Sequence, residues 1–149
     1  MAFIRKSELP ITVDLLINSV TSRQTGASWS FELFKDNSVE MEVKGIESSV
    51  KAFIPVKELL IATKIHSCRL TDIRDIVAIC DKADINKIAG FAKRGELEKL
   101  KINLLRFKDT ISNKNFIDSF KGVFSIEKFP EGSVNYAKEI VNKLLEAIE

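Results

Sequence analysis

The stretch ELLIATKIHSCRLTDIRDIVAI, from Glu58 to Ile79, decides how the chain is read. Its apolar residues recur at close to helical spacing, and Lys64, Arg69, Thr71, Asp72 and Asp75 interrupt them in a tight cluster. Residues 57 to 67 read as one helix. Thr71 then offers an N-cap for a second of about a dozen residues, with Asp72 near its positive end. Asp72 and Asp75 stand three apart and share a face of that second helix. Lys64 falls in the last turn of the first helix and Arg69 just before the second. Where two such helices meet at a corner, Lys64, Arg69, Asp72 and Asp75 converge, and Arg69 is placed for charge-assisted hydrogen bonds to either carboxylate. Two readings stay open: a salt-bridged corner that fixes the turn, or one wall of a binding site.

Towards the N-terminus the hydrophobic period changes from about 3.6 to 2. VEMEVKGI (39–46) alternates strictly, with Val39, Met41 and Val43 on one side and Glu40, Glu42 and Lys44 on the other, which predicts a half-buried antiparallel strand. VKAFIP (50–55) reads as its short neighbour, closed by Pro55. WSFELF (29–34) also alternates and is read as a strand, joined to the next by a KDNS turn. TSRQTGAS (21–28) reads as a loop, and PITVDLLI (10–17) as an apolar strand with one carboxylate, Asp14. Towards the C-terminus the pattern stays helical. Asp84 is a candidate cap for INKIAGFAKR, ended by Gly95; ELEKLKINLLRFKD has a Lys-rich outer face; Asn113 to Lys121 is a short helix stopped by Gly122. Ser133 caps VNYAKEIVNKLLEAIE, whose Val134, Ala137, Ile140, Val141, Leu144 and Leu145 make one apolar stripe. The expected fold is α+β: a small, mostly antiparallel sheet over residues 10 to 55, followed by a helical bundle over 57 to 149. Residues 1–56 and 57–149 are its β-rich and helical parts, expected to form one compact unit.

The 149 residues fit one domain, and twelve aromatics, ten of them Phe, supply a core. A net charge of +2, from 23 basic and 21 acidic residues, gives no global field that would point to nucleic acid. Lys93, Arg94, Lys99, Lys101, Arg106 and Lys108 form a modest basic set, read as a solvated face, with a nucleic-acid stripe as the other reading. Cys68 and Cys80 lie twelve apart without a CxxC pattern, so they read as reduced, partly buried thiols rather than as a disulfide or zinc pair. A single histidine, His66, offers no persuasive nucleophile–base pair. There is no P-loop, no GxGxxG, no signal-like leader and no apolar run long enough for a membrane span, so a cytoplasmic location is expected.

A lone carboxylate such as Asp14 in an apolar strand is costly unless it is paired, exposed or bound to a cation. The succession of features around it is telling: an Asp-bearing apolar strand, antiparallel strands, a short strand ending in Pro, then ELL-x-x-x-K and R-x-x-D-x-x-D. Over residues 11 to 80 this resembles the later half of nucleotidyltransferase-fold proteins, and among them the AbiEii-like and related small nucleotidyltransferases. The matching residues are Glu58, Leu59, Leu60, Lys64, Arg69, Asp72, Asp75 and Ile76. The resemblance implies polymerase-β-type chemistry, in which a nucleoside monophosphate passes from an NTP to an acceptor with two Mg²⁺ ions held by three carboxylates. By that resemblance Asp14 is the third metal carboxylate and the catalytic residue. Lys64 touches nucleotide phosphate, while Arg69, Asp72 and Asp75 brace it or contact substrate.

Two of the family's features are missing in order. Gly26-Ala27-Ser28 follows Asp14 where the family's Gly-Ser turn precedes it, and no Asp-x-Asp pair stands before Asp14. Asp81 and Asp84 fall in helical context and cannot substitute. The expectation is a C-terminal portion of a longer enzyme or a degenerate relative, transferring NMP only if missing N-terminal elements complete it. The alternative is a non-catalytic interaction or oligomerisation module derived from that fold. That module would expose an apolar patch to a homodimer mate or a partner subunit.

Overall fold

The computed structural model describes residues 2–5, 11–14 and 18–148, with side chains described from residue 18 onward. The expected α+β arrangement is present. Its strands are all antiparallel and are distributed over three two-stranded ribbons. Ala2–Arg5 (β1) pairs with Ile11–Asp14 (β2), Ser19–Thr21 (β3) with Ser28–Ser30 (β4), and Ser38–Lys44 (β5) with Ser49–Pro55 (β6). Six helices follow β6: Lys57–Ser67 (α2), Leu70–Ile79 (α3), Ile85–Ala92 (α4), Leu97–Ile111 (α5), Lys114–Phe124 (α6) and Glu131–Ile148 (α7). A short helix, Phe31–Asp36 (α1), lies between β4 and β5.

That short helix corrects the strand reading of WSFELF. The alternation of Trp29, Phe31 and Leu33 spans too few residues to outweigh the cap that starts α1. The Ser30 hydroxyl accepts the Leu33 N–H at 3.2 Å, and Glu32 and Lys35 sit at the ends that the helix dipole favours. Trp29 stays on β4 and is 1% exposed. With Ala27 and Leu59 it makes a small core against which Leu33, Phe34, Val56 and Phe91 pack.

The larger core is helical. Buried faces of α2, α3, α5 and α7 meet through Ile61, Ile65, Ile73, Ile76, Leu104, Phe107 and Ile140, among others. The stripe expected on α7 is in place, with Val134, Ala137, Ile140, Val141 and Leu144 buried and Leu145 packed at its edge. Several helix ends differ from the sequence reading. Arg69, not Thr71, is the N-cap of α3, because the Asp72 carboxylate accepts the Arg69 N–H and starts the helix earlier. α7 starts at Glu131, so Ser133 lies inside its first turn. α6 runs past Gly122 to Phe124 and stops where Ser125 turns left-handed, at φ 51°. Asp84 caps α4 as expected, accepting the Asn86 and Lys87 N–H groups at 2.9 and 3.2 Å.

The β5–β6 ribbon is the largest departure. Val39, Met41 and Val43 alternate as expected, yet no described element covers them: they are 56%, 53% and 47% exposed. The ribbon is apolar on one face, and that face is uncovered.

Candidate functional site

α2 and α3 meet at a sharp corner. Cys68 ends α2 in the left-handed region, at φ 47°, and its N–H closes the last turn on the Lys64 carbonyl at 2.8 Å. A non-glycine residue holds that conformation at a cost. The Cys68 side chain is fully buried, and its thiol donates to the Asn103 carbonyl at 3.2 Å.

The corner brings together four of the five sequence-derived site residues. The Asp72 carboxylate is its hub and is 3% exposed. Its Oδ2 accepts from the Ser67 hydroxyl at 2.8 Å, the Arg69 Nε at 2.8 Å and the Arg69 N–H at 3.2 Å. Its Oδ1 accepts from Lys64 Nζ and Arg69 Nη2, each at 3.4 Å. Lys64 Nζ also donates to Asp75 at 2.7 Å. Burial alone would push the Asp72 carboxyl up. The hydrogen bonds from the Arg69 side chain, the Ser67 hydroxyl and the Arg69 N–H, with the charge of Lys64, outweigh it and hold the group below the ordinary carboxylate range. Asp72 therefore stays ionised and is saturated by donors. Asp75 is 45% exposed at its side chain and bonded to Lys64 alone in this cluster. Arg74 faces elsewhere, reaching the Ser119 hydroxyl at 3.3 Å. Asp14 closes β2, opposite Ala2 in the ribbon register. Its side chain lies outside the described residues, and so does its place relative to Lys64.

A second set of residues, which the sequence reading did not join to the corner, builds the facing wall. The turn between β3 and β4 docks onto the end of α2 through His66, which is fully buried. Its Nε2 meets the Ala92 carbonyl at 2.7 Å and its Nδ1 meets the Thr25 hydroxyl at 2.6 Å. A carbonyl can only accept, so Nε2 carries the proton and Nδ1 accepts from Thr25. Burial pushes the His66 pKa down; the Ala92 carbonyl counters this in part, and the charge of Arg94 adds to the lowering. The Trp29 indole stands edge-on to the imidazole at 5.1 Å and donates to the Phe91 carbonyl at 2.9 Å. The Ser22 hydroxyl and the Asn103 amide both donate to the His66 carbonyl, at 3.0 Å each. Asn103 also reaches Gln24 at 3.4 Å. Gly95, at φ +66°, lies against the same turn so closely that an added Cβ would overlap the Thr25 carbonyl. The sequence placed Gly95 at a helix end, but α4 stops at Ala92, and this close approach is what requires a glycine.

Between corner and turn lies a cavity of about 560 Å³. Lys64, Arg69, Asp72, Ser67 and Thr63 line it from the helices, and Ser22, Arg23 and Gln24 from the turn, over an apolar wall of Val20, Trp29, Phe34 and Leu60. Arg23 is exposed, and no hydrogen bond or ion pair engages it among the described residues. It is the functional candidate that sequence reasoning missed. TSRQTGAS read only as a loop, and nothing local shows that this loop folds back onto α2.

Cys68 and Cys80 are free and fully buried, and burial pushes both thiols up to about 11. In the basic set, Lys99 pairs with Glu96 at 2.8 Å and Lys108 donates to Asn142 at 3.1 Å. Among the described residues no helix is long and apolar enough to cross a membrane. The sequence matches no protein-family model, and neither curated proteins nor solved structures gave a match.

Proposed function

We propose that this chain is the substrate-side portion of a nucleotidyltransferase-like protein and that the cavity between the α2–α3 corner and the β3–β4 turn receives the phosphates of a nucleotide. One observation carries the reading. Arg23, Lys64 and Arg69 line a single cavity with an apolar wall beside them, which suits an anionic ligand with a flat organic part. Lys64 and Arg69 are largely neutralised by Asp72 and Asp75, so they act as a fixed floor, and Arg23 supplies the uncompensated charge.

The Mg²⁺ that the resemblance implies does not fit the described donors. Among the described residues no group of three or more His, Cys, Asp or Glu is placed to hold a metal. Asp72 and Asp75 already face cations that would repel a metal ion. Asp14 keeps the metal and catalytic role that the resemblance assigns it, as one carboxylate where such a site needs several.

Calorimetric titration with Mg²⁺–NTPs and with metal-free NTPs tests the reading. Wild-type protein should bind in the micromolar range. Arg23→Ala should weaken binding about 10- to 100-fold, the value of one charged hydrogen bond. No binding at millimolar nucleotide, or binding indifferent to Arg23→Ala, overturns it. A second reading, a non-catalytic interaction module, is favoured by the uncovered apolar face of β5–β6.

A further inference from the structure

The apolar face of β5–β6 has a specific relief. Directly opposed residues in the ribbon share a face, so Val39–Ile54, Met41–Ala52 and Val43–Val50 form three apolar rungs with no charge among them. The five larger side chains are between 36% and 62% exposed. An isolated two-stranded ribbon is marginal in water, so this one calls for a cover.

The relief selects a second copy of the same face. Its middle rung pairs the longest, most adaptable side chain, Met41, with the smallest, Ala52. A two-fold axis running along the strands lays each Met41 over Ala52 of the second copy, so the longest side chain meets the one hollow, while Val39 meets Ile54 and Val43 meets Val50 at similar height. Edge-to-edge pairing does less well. Joining β5 to β5 about Met41 sets Glu40 of one copy against Glu42 of the other, and joining β6 to β6 leaves the apolar face open. Neutrality helps too, since a net charge of +2 opposes self-association only weakly.

We propose that the chain forms a reversible homodimer by face-to-face packing of β5–β6, with Met41 of each copy seated over Ala52 of the other. This names the partner for the interaction reading and is independent of the nucleotide cavity. The face would remove on the order of 400 Å² per copy, about half of what a standard stable interface buries on each side, so the dimer dissociates on dilution.

Sedimentation equilibrium from about 1 µM to 1 mM reads it. Wild-type protein should shift from monomer to dimer across that range. Met41→Glu and Ala52→Met should each weaken the dimer at least about tenfold, while the exchange M41A/A52M should recover association relative to A52M. Circular dichroism checks that each variant keeps the fold, which these exposed positions should allow. A wild-type monomer at the highest concentration overturns the proposal and leaves the face to a different protein. A dimer indifferent to Met41→Glu also overturns it, by placing the contact elsewhere. Nucleotide titration of the same samples through Arg23 fails or succeeds separately.

Discussion

Asp72→Ala separates a structural corner from an idle one. The substitution removes the acceptor for the Ser67 hydroxyl, the Arg69 Nε and the Arg69 N–H, all within 3.2 Å. Loss of the α3 cap costs about 1 kcal/mol. Loss of the Ser67 bond to a buried charge costs about 1.5 kcal/mol more. The Arg69 side chain is 70% exposed and regains water, so its bond adds little. Lys64 keeps Asp75 at 2.7 Å. The sum is about 2–3 kcal/mol at pH 7, or roughly 5–10 °C in Tm for a chain of this size. Asp75→Ala removes one half-exposed ion pair and should cost less than about 1 kcal/mol. The pH dependence gives an internal control. The folded pKa of Asp72 is depressed, so its contribution is present above the unfolded carboxylate value and is lost as pH falls through the folded one. Urea denaturation at pH 7 and at pH 3 should therefore show the Asp72→Ala penalty shrinking in acid. A penalty below about 0.5 kcal/mol at pH 7, or one equal to that of Asp75→Ala, refutes the hub assignment.

Three further outcomes follow from the docked turn and the core. Stability should fall as pH drops below about 6.5, because the folded pKa of His66 is lowered and the unfolded chain takes the proton first. With one histidine in the chain, His66→Gln should flatten that slope in melts between about pH 7.5 and 5.5. Gly95→Ala should cost about 3 kcal/mol or more in urea titrations, since its Cβ would sit 2.5 Å from the Ala27 nitrogen at a positive φ. Ellman's reagent should find no fast-reacting thiol in the native protein and two after denaturation, as both cysteines are fully buried with pKa values pushed up to about 11.

What the sequence disclosed was what repeats locally. The helical period from residue 57 onward, the Asp84 cap and the α7 stripe all rest on neighbours within a few positions, and all are in place. Lys64, Arg69, Asp72 and Asp75 converge because they stand within twelve residues on two consecutive helices. WSFELF misleads because a three-residue alternation competes with a serine cap, and the cap wins at that length. The β5 alternation correctly gives the faces but not their burial, which depends on what packs above them. Thr25 and Asn103 were silent for a different reason: their partners lie 37 to 79 residues away, and no spacing rule carries that distance. Arg23 was silent because only the fold brings it to the cavity that Lys64 and Arg69 line.

The corner constrains any ligand through charge. Asp72 already occupies the place among Ser67, Lys64 and Arg69 that a phosphate oxygen would otherwise take. An incoming phosphate cannot displace a buried carboxylate on the same backbone turn without breaking the α3 cap as well, so competition at that point favours the protein's own anion. What remains on the cavity lining is the exposed flank of Arg69 at the corner and, on the turn, Arg23, which no hydrogen bond or ion pair engages among the described residues. A ligand that binds here must therefore bridge helix corner and turn, and its affinity depends on how firmly the turn is held. The bond between His66 and Thr25 is the titratable one among the ties that hold it, beside those of Ser22 to the His66 carbonyl and Asn103 to Gln24. Nucleotide affinity should accordingly hold while stability first declines and weaken only as pH falls through the lowered pKa of folded His66, and His66→Gln, at a residue that does not itself line the cavity, should lower affinity at about pH 7.5. Affinity unchanged by His66→Gln in calorimetry at about pH 7.5, with the loss of stability present, would detach the cavity from the turn and refute the bridging geometry.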